Sequence, residues 1–410
     1  MNQLKPRFEL RPEKSAAKTN EPTTMLVLAR LVSPAAPLST ARPPLNLGLV
    51  LDRSGSMAGA KLVAAKRAAA FAVRQLDAAD RVSVTTYDDN VETIVPSTPA
   101  HDKAALEARI NQIQCGSMTA LHDGWVAGAT QVAAHLEDGR LNRVLLLTDG
   151  LANVGETDPR RICAHVQGLA QRGVSTTTLG IGDDFNEDLL ETMAGSGDGS
   201  YYFIEGAADL ERIFAAELSG LMATLGRKVS LGIEPQNGAE VDDVLSDLQK
   251  NPLGRLMLSN LVAGGALEVV LQLTIPPLER ASDVCLFRLA YDAPDAGRIV
   301  MREALALDAV SADEWEKMPC DSVVTDAATR LKLARERREI ARQLDEGNVA
   351  GARATLRTAR ATSETIAAMA LQREESDSFK LLEREIEEGN LRKASKSSKY
   401  DSYRRQRNRE

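Results

Sequence analysis

Between residues 44 and 225 the chain alternates compact apolar runs with longer stretches whose apolar positions recur every three to four residues. The runs at 45–51, 143–148, 174–181 and 201–204 read as strands, mostly of the continuously apolar kind that is buried on both faces. Helical spacing predicts helices over 59–76, 101–113, 120–136, 159–172, 186–194 and 208–225. Residues 81–87 and 91–95 form a predicted hairpin, turned by Asp88-Asp89-Asn90 and stopped by Pro96. Strand and helix in alternation mean β-α-β units, so the expected fold here is α/β, a doubly wound and mostly parallel sheet.

After Gly226 the period changes. Residues 266–275 alternate strictly, with Leu267, Val269, Leu271, Leu273 and Ile275 on one face, and Pro276-Pro277 ends the run. Such alternation marks an antiparallel sheet packed on one side. Further strands are predicted at 227–233, 255–261, 284–291 and 298–306. In the N-terminal segment 1–43, residues 23–32 are strand-like, and they are expected to join a β-sandwich-like domain over 226–310. Residues 320–391 read as helical, with Gly347-Asn348 breaking one helix from the next. The echo of Leu344-Asp345-Glu346-Gly347-Asn348-Val349 in Ile386-Glu387-Glu388-Gly389-Asn390-Leu391 leaves two readings open, a plain helical bundle or tetratricopeptide-type hairpins. From Arg392 to the end the chain is basic and nearly without apolar residues, which predicts a disordered tail over 392–410.

The chemistry concentrates at strand ends. Asp52-Arg53-Ser54-Gly55-Ser56 closes the first strand and puts a carboxylate and two hydroxyls at i, i+2 and i+4 on a tight turn. Thr119 lies in Cys115-Gly116-Ser117-Met118-Thr119-Ala120-Leu121, and Asp149 ends another apolar strand in Leu147-Thr148-Asp149-Gly150. An all-oxygen set suits a hard divalent cation, above all Mg²⁺, with Mn²⁺ or another divalent ion as substitutes. Taken singly, Ser54 and Ser56 read as helix caps and Asp149 as a turn residue. Convergence of all five requires the two strands to be neighbours.

Asp-x-Ser-x-Ser, a lone Thr, then Asp in Thr-Asp-Gly: this ordered set resembles the von Willebrand factor type A (VWA) domain and its metal-ion-dependent adhesion site, in a bacterial multidomain setting. Val84-Thr85-Thr86-Tyr87-Asp88-Asp89 and Leu179-Gly180-Ile181-Gly182-Asp183-Asp184 add to the likeness. The resemblance implies a Rossmann-like fold over 44–225. It also implies a metal held directly by Ser54, Ser56 and Thr119, and partly through water by Asp52 and Asp149. The open coordination position would take an Asp or Glu carboxylate of a protein partner, with Arg53 and Met118 on the partner-facing rim; Met118 stands where the family more often has a small residue. A second implied role is as a non-ATPase subunit beside an AAA+ ATPase of the MoxR or chelatase type.

The remaining composition narrows this further. A net charge of −8 over 410 residues gives no basis for general nucleic-acid binding. The charged residues of Met1 to Glu9 do not suit a signal peptide, and no run approaches the ~18 apolar residues of a membrane helix. Cys115, Cys163, Cys285 and Cys320 are widely spaced, which fits reduced thiols and a cytoplasmic setting. Neither a Gly-x-x-x-x-Gly-Lys-Ser/Thr loop nor a Gly-x-Ser-x-Gly elbow occurs. His101, His122, His135 and His165 lack metal-ligand spacing, and His122 is expected on the surface at a helix start. With no general base or nucleophile beside the five oxygens, a binding module is expected rather than an enzyme, and a metal-dependent hydrolase is disfavoured.

Overall fold

The computed structural model describes residues 6–35, 43–137, 139–293 and 296–407. The remainder, including parts of the N-terminal segment and the last three residues of the basic tail, lies outside the described residues. Contacts divide the chain into two compact units, Leu38–Ala223 and the combination of Met1–Pro37 with Thr224–Glu410. Among the described residues no helix is long and apolar enough to cross a membrane.

Three strands come first, β1 (Arg7–Pro12), β2 (Ala16–Lys18) and β3 (Thr23–Val32). The Leu38–Ala223 unit then runs β4 (Leu45–Asp52), α1 (Ala60–Gln75), β5 (Arg81–Tyr87), β6 (Val91–Pro99), α2 (Lys103–Asn111) and α3 (Leu121–Ala133). It continues with β7 (Leu141–Thr148), α4 (Pro159–Gln171), β8 (Val174–Ile181), α5 (Glu187–Ser196), β9 (Tyr201–Ile204) and α6 (Leu210–Met222). Its sheet has the order β6-β5-β4-β7-β8-β9, parallel throughout except for the β5–β6 hairpin. Strand order reverses between β4 and β7, both buried along their whole length.

Small residues set how closely the helices approach. α1 lays Ala65, Ala68, Ala69 and Ala72 against the sheet. α3 comes in on Gly124 and Gly128: a methyl at Gly128 would overlap Val50 Cγ2, and one at Gly124 would overlap the Tyr87 ring. Trp125 Nε1, buried between them, donates to Thr176 Oγ1 at 3.1 Å. Because α3 is pinned this way, the loop just before it is brought over the ends of β4 and β5. The hairpin differs from expectation in that β6 runs through Pro96 to Pro99. As the edge strand it pairs only with β5, and the register shifts beside Val82 and Val84, so a residue without an N–H is tolerated.

The other unit continues with β10 (Thr224–Pro235), β11 (Glu240–Val244), β12 (Leu256–Met257), β13 (Leu261–Val262), β14 (Ala266–Ile275), β15 (Ser282–Ala293) and β16 (Gly297–Val310). Then come α7 (Ala312–Lys317), α8 (Ser322–Asp345), α9 (Val349–Ser363), α10 (Met369–Glu387) and α11 (Leu391–Gln406). β3 pairs antiparallel with β14 along ten residues, from Thr23 with Ile275 to Val32 with Ala266. The sheets β1-β3-β14-β11 and β12-β10-β15-β16-β2 share one core that includes Met25, Val27, Leu271, Leu231 and Phe287. The opposite face of β14 is not left to solvent, since Val270 and Leu28 pack with Val324 and Leu331 of α8.

The expectation of a disordered tail is corrected: residues 391–406 form α11, with Ala394 and Tyr403 buried. The helix docks through polar groups, which the scarcity of apolar residues concealed. Arg405 Nε is 2.5 Å from the fully buried Glu375, Ser395 Oγ donates to Asp345 at 2.6 Å, and Lys399 pairs with Asp345 at 2.9 Å. At both echoed segments a glycine with positive φ, Gly347 at 76° and Gly389 at 81°, ends one helix and an Asn starts the next.

Candidate metal centre

Asp52 is the last residue of β4 and Asp149 directly follows β7, so the two carboxyls emerge together at the carboxyl end of the sheet, where strand order reverses. Both are fully buried. Asp52 Oδ1 accepts from the Ser54 N–H at 2.8 Å and Oδ2 from Thr148 Oγ1 at 2.6 Å. Burial outweighs these bonds and pushes the Asp52 carboxyl up to about 6, with the nearby Asp149 charge adding to the rise. Asp52 is thus a desolvated acid in want of positive charge.

The turn after β4 is a single tight helical turn, Gly55–Met57, and Ser54 makes no side-chain cap bond to it. The serine hydroxyls turn to each other and to Asp149 instead: Ser54 Oγ lies 3.2 Å from Ser56 Oγ, and Ser56 Oγ donates to Asp149 Oδ1 at 2.7 Å. Thr119 reaches the same place. A methyl at Gly150 would lie 3.5 Å from Thr119 Oγ1 and 3.6 Å from Ser56 Oγ, so both hydroxyls border the space beside that glycine. Ser54, Ser56 and Asp149 are thus linked through their side chains, Thr119 borders the same space as Ser56, and Asp52 adjoins them through the Ser54 N–H.

The Thr119 loop is held by main-chain bonds on both sides. Gly116 N–H donates to Arg53 O at 2.6 Å, Gly55 N–H to Ser117 O at 2.8 Å, and Ala120 N–H to Asp88 O at 2.7 Å. Thr119 itself donates its N–H to Asn153 Oδ1 at 2.9 Å and accepts from the Asn153 N–H at 3.1 Å. Asp88 and Asp89 are turn residues as expected, but they also clamp this loop: Ser117 Oγ donates to Asp89 at 2.8 Å, and Gly116 rests directly on the buried Asp88 carboxylate. Arg53, expected on the rim, spans Asp88 at 3.4 Å and Glu92 at 3.1 Å. Met118 is half exposed, and so is Leu151, just past Gly150.

Two features were not foreseen. Lys61, in the first turn of α1, places Nζ 2.5 Å from Asp149 Oδ2. Its signal was present, since a cation at a helix N-terminus opposes the macrodipole and calls for a nearby anion. His122 is buried rather than on the surface, because its Nε2 meets Nδ1 of His165 on α4 at 3.0 Å.

The donor chemistry fits a hard divalent cation. It is all oxygen, with two buried carboxyls and three neutral hydroxyls, and a side-chain ammonium already rests on one carboxylate. The comparisons agree with the architecture: residues 46–216 match the model of the von Willebrand factor type A domain. The chain carries a VWA domain. It is 28% identical over 229 residues to the uncharacterized protein YfbK of Escherichia coli, a match covering 55% of this chain and 40% of that protein. The chain thus spans less than half of YfbK. It is 28% identical over 358 residues to the uncharacterized protein sll0103 of Synechocystis, covering 83% of this chain and 84% of that one. A solved von Willebrand factor type A structure from Catenulispora acidiphila matches with a TM-score of 0.70 over 92% of this chain and 89% of that chain, at 18% identity. That last likeness is one of fold, and it extends beyond the VWA domain.

Proposed function

We propose that the VWA domain is a metal-dependent protein-binding module: Asp52, Ser54, Ser56, Thr119 and Asp149 hold a divalent cation, Mg²⁺ by preference, and a protein partner docks there through an Asp or Glu side chain. The observation that carries this reading is that Ser56 Oγ and Thr119 Oγ1 border the space beside Gly150, with Ser56 Oγ on the buried Asp149 carboxylate and the buried Asp52 at the neighbouring strand end, at the switch point of the sheet. When bound, the cation supplies the positive centre that lets an acidic partner approach two acidic residues. The chain's own residues do the rest. Asp52, fixed by Ser54 and Thr148, carries charge that holds the ion, while the neutral hydroxyls donate oxygen without adding negative charge. Met118 and Leu151, half exposed on either side, offer apolar contact to whatever flanks the partner's acidic residue.

A ligand that binds only the folded form stabilises it by mass action, by about 2.7 kcal/mol at a hundred times its Kd. Mg²⁺ and Mn²⁺ should therefore raise the Tm of the wild type, and Asp52→Ala should abolish the rise while keeping the fold. A pull-down with Mg²⁺ should retain partners that EDTA and Asp149→Ala both release, an AAA+ ATPase among the candidates. Partners indifferent to both treatments would refute the metal bridge.

A further inference from the structure

This inference rests on the metal-site reading above and concerns the competition between Lys61 and a metal for Asp149. We propose that Lys61 and the metal compete for Asp149, so that metal loading requires the ammonium to leave Asp149 for solvent.

The site needs positive charge, because Asp52 and Asp149 are both fully buried at the ends of adjacent strands, and apart from Lys61 their hydrogen bonds come from neutral groups, the Ser56 and Thr148 hydroxyls and the Ser54 N–H. Lys61 provides it, with Nζ 2.5 Å from Asp149 Oδ2. It sits in the first turn of α1, where the macrodipole disfavours a cation unless an anion lies beside it. The ammonium faces the side-chain position of Gly182, just past β8, where a methyl would be 3.5 Å from both Lys61 Cε and Nζ. Yet the side chain is 31% exposed, against 0% for Asp149. The pair is thus asymmetric: the carboxylate cannot leave, and the lysine has a route out along its own stem.

A dication drawing on Asp149 would sit close to the ammonium, and two cations sharing one carboxylate in a buried site repel strongly. The lysine is the one able to yield. Metal and Lys61 are therefore alternative partners of Asp149, and the lysine's hold on that carboxylate comes at the expense of metal affinity.

The test uses the full chain and Mn²⁺ as probe. Titration followed by electron paramagnetic resonance of free Mn²⁺ should show Lys61→Gln binding about tenfold or more tightly than wild type, the scale expected on removing one close unit charge. Lys61→Arg should stay near wild type. Independently, acetylation footprinting of wild type should show Lys61 labelled several-fold faster with Mn²⁺ than without, and the exposed Lys332 unchanged. Equal affinity in wild type and Lys61→Gln, or Lys61 labelling that ignores Mn²⁺, overturns the displacement alone. Absence of binding in both proteins overturns the metal site and the displacement together.

Discussion

Gly116 offers a direct probe of how the metal-site loop is positioned. A side-chain methyl at this residue would fall on top of Asp88 Oδ2, 2.5 Å from its Cγ and 2.9 Å from its Cβ. Because even Cβ is too close, rotating the carboxylate cannot relieve the clash; either the loop or the β5–β6 turn must shift. Asp88 is held in place, since its Oδ1 accepts from the Asn90 N–H at 2.8 Å and its carboxylate faces Arg53. Gly116→Ala should therefore cost about 1–3 kcal/mol, the usual penalty for overpacking. For a domain of this size that is a fall in Tm of roughly 2–12 °C. The displaced loop carries Thr119, so Mn²⁺ affinity should drop about tenfold, as when a supporting group behind a ligand is lost. Gly168 is the control: it lies within α4 with nothing near its missing Cβ, so Gly168→Ala should be neutral or stabilise by up to about 1 kcal/mol. Calorimetry and Mn²⁺ titration of both variants decide the matter. Gly116→Ala with wild-type Tm and affinity would show that Asp88 does not fix the loop.

Two further outcomes concern the helical part of the other unit. Glu375→Ala should destabilise it by about 3–5 kcal/mol in urea denaturation, because Arg337 and Arg405, both buried, would lose the fully buried carboxylate that bridges them and keep the longer pairs to Asp401 at 3.4 Å; a loss below about 1 kcal/mol would refute that account. The same unit should also be acid-sensitive. The hydrogen bond from Arg335 holds Asp243 below the ordinary carboxylate range, and at Asp401 burial is outweighed by the Arg337 and Arg405 charges, so its carboxyl is lowered too. Folded-state values depressed in this way mean stability that is full above the unfolded value and lost as pH falls, between about pH 5 and about pH 2. Far-UV circular dichroism melts across that range should show the Tm falling, and a flat profile would count against the pairs.

What the sequence made legible, and what it hid, divides along physical lines. Buried parallel strands are continuous apolar runs, so β4 and β7 could be read, and with them the strand-end places of Asp52 and Asp149. The order of Ser54, Ser56 and Thr119 was legible because each lies in a short loop beside such a strand or a helix start. The hidden features depend on polar groups meeting across elements, which leaves no period in the sequence. Lys61 was marked in the sequence only as a cation in the first turn of a helix, and its partner became visible once the fold set Asp149 beside it. Asp88 looked like a turn residue until Gly116 was laid over its carboxylate. α11 looked like a solvated tail until Glu375 and Asp345 were found beneath Arg405 and Lys399. In each case the local residue type was compatible with exposure, and only tertiary placement turned it into a buried or half-buried ion pair or close contact. The pattern bears on function as well. The site proposed to hold a metal is framed by main-chain turns and so is encoded locally and readable from the chain, whereas the partners of Lys61 and Asp88 are set by the fold.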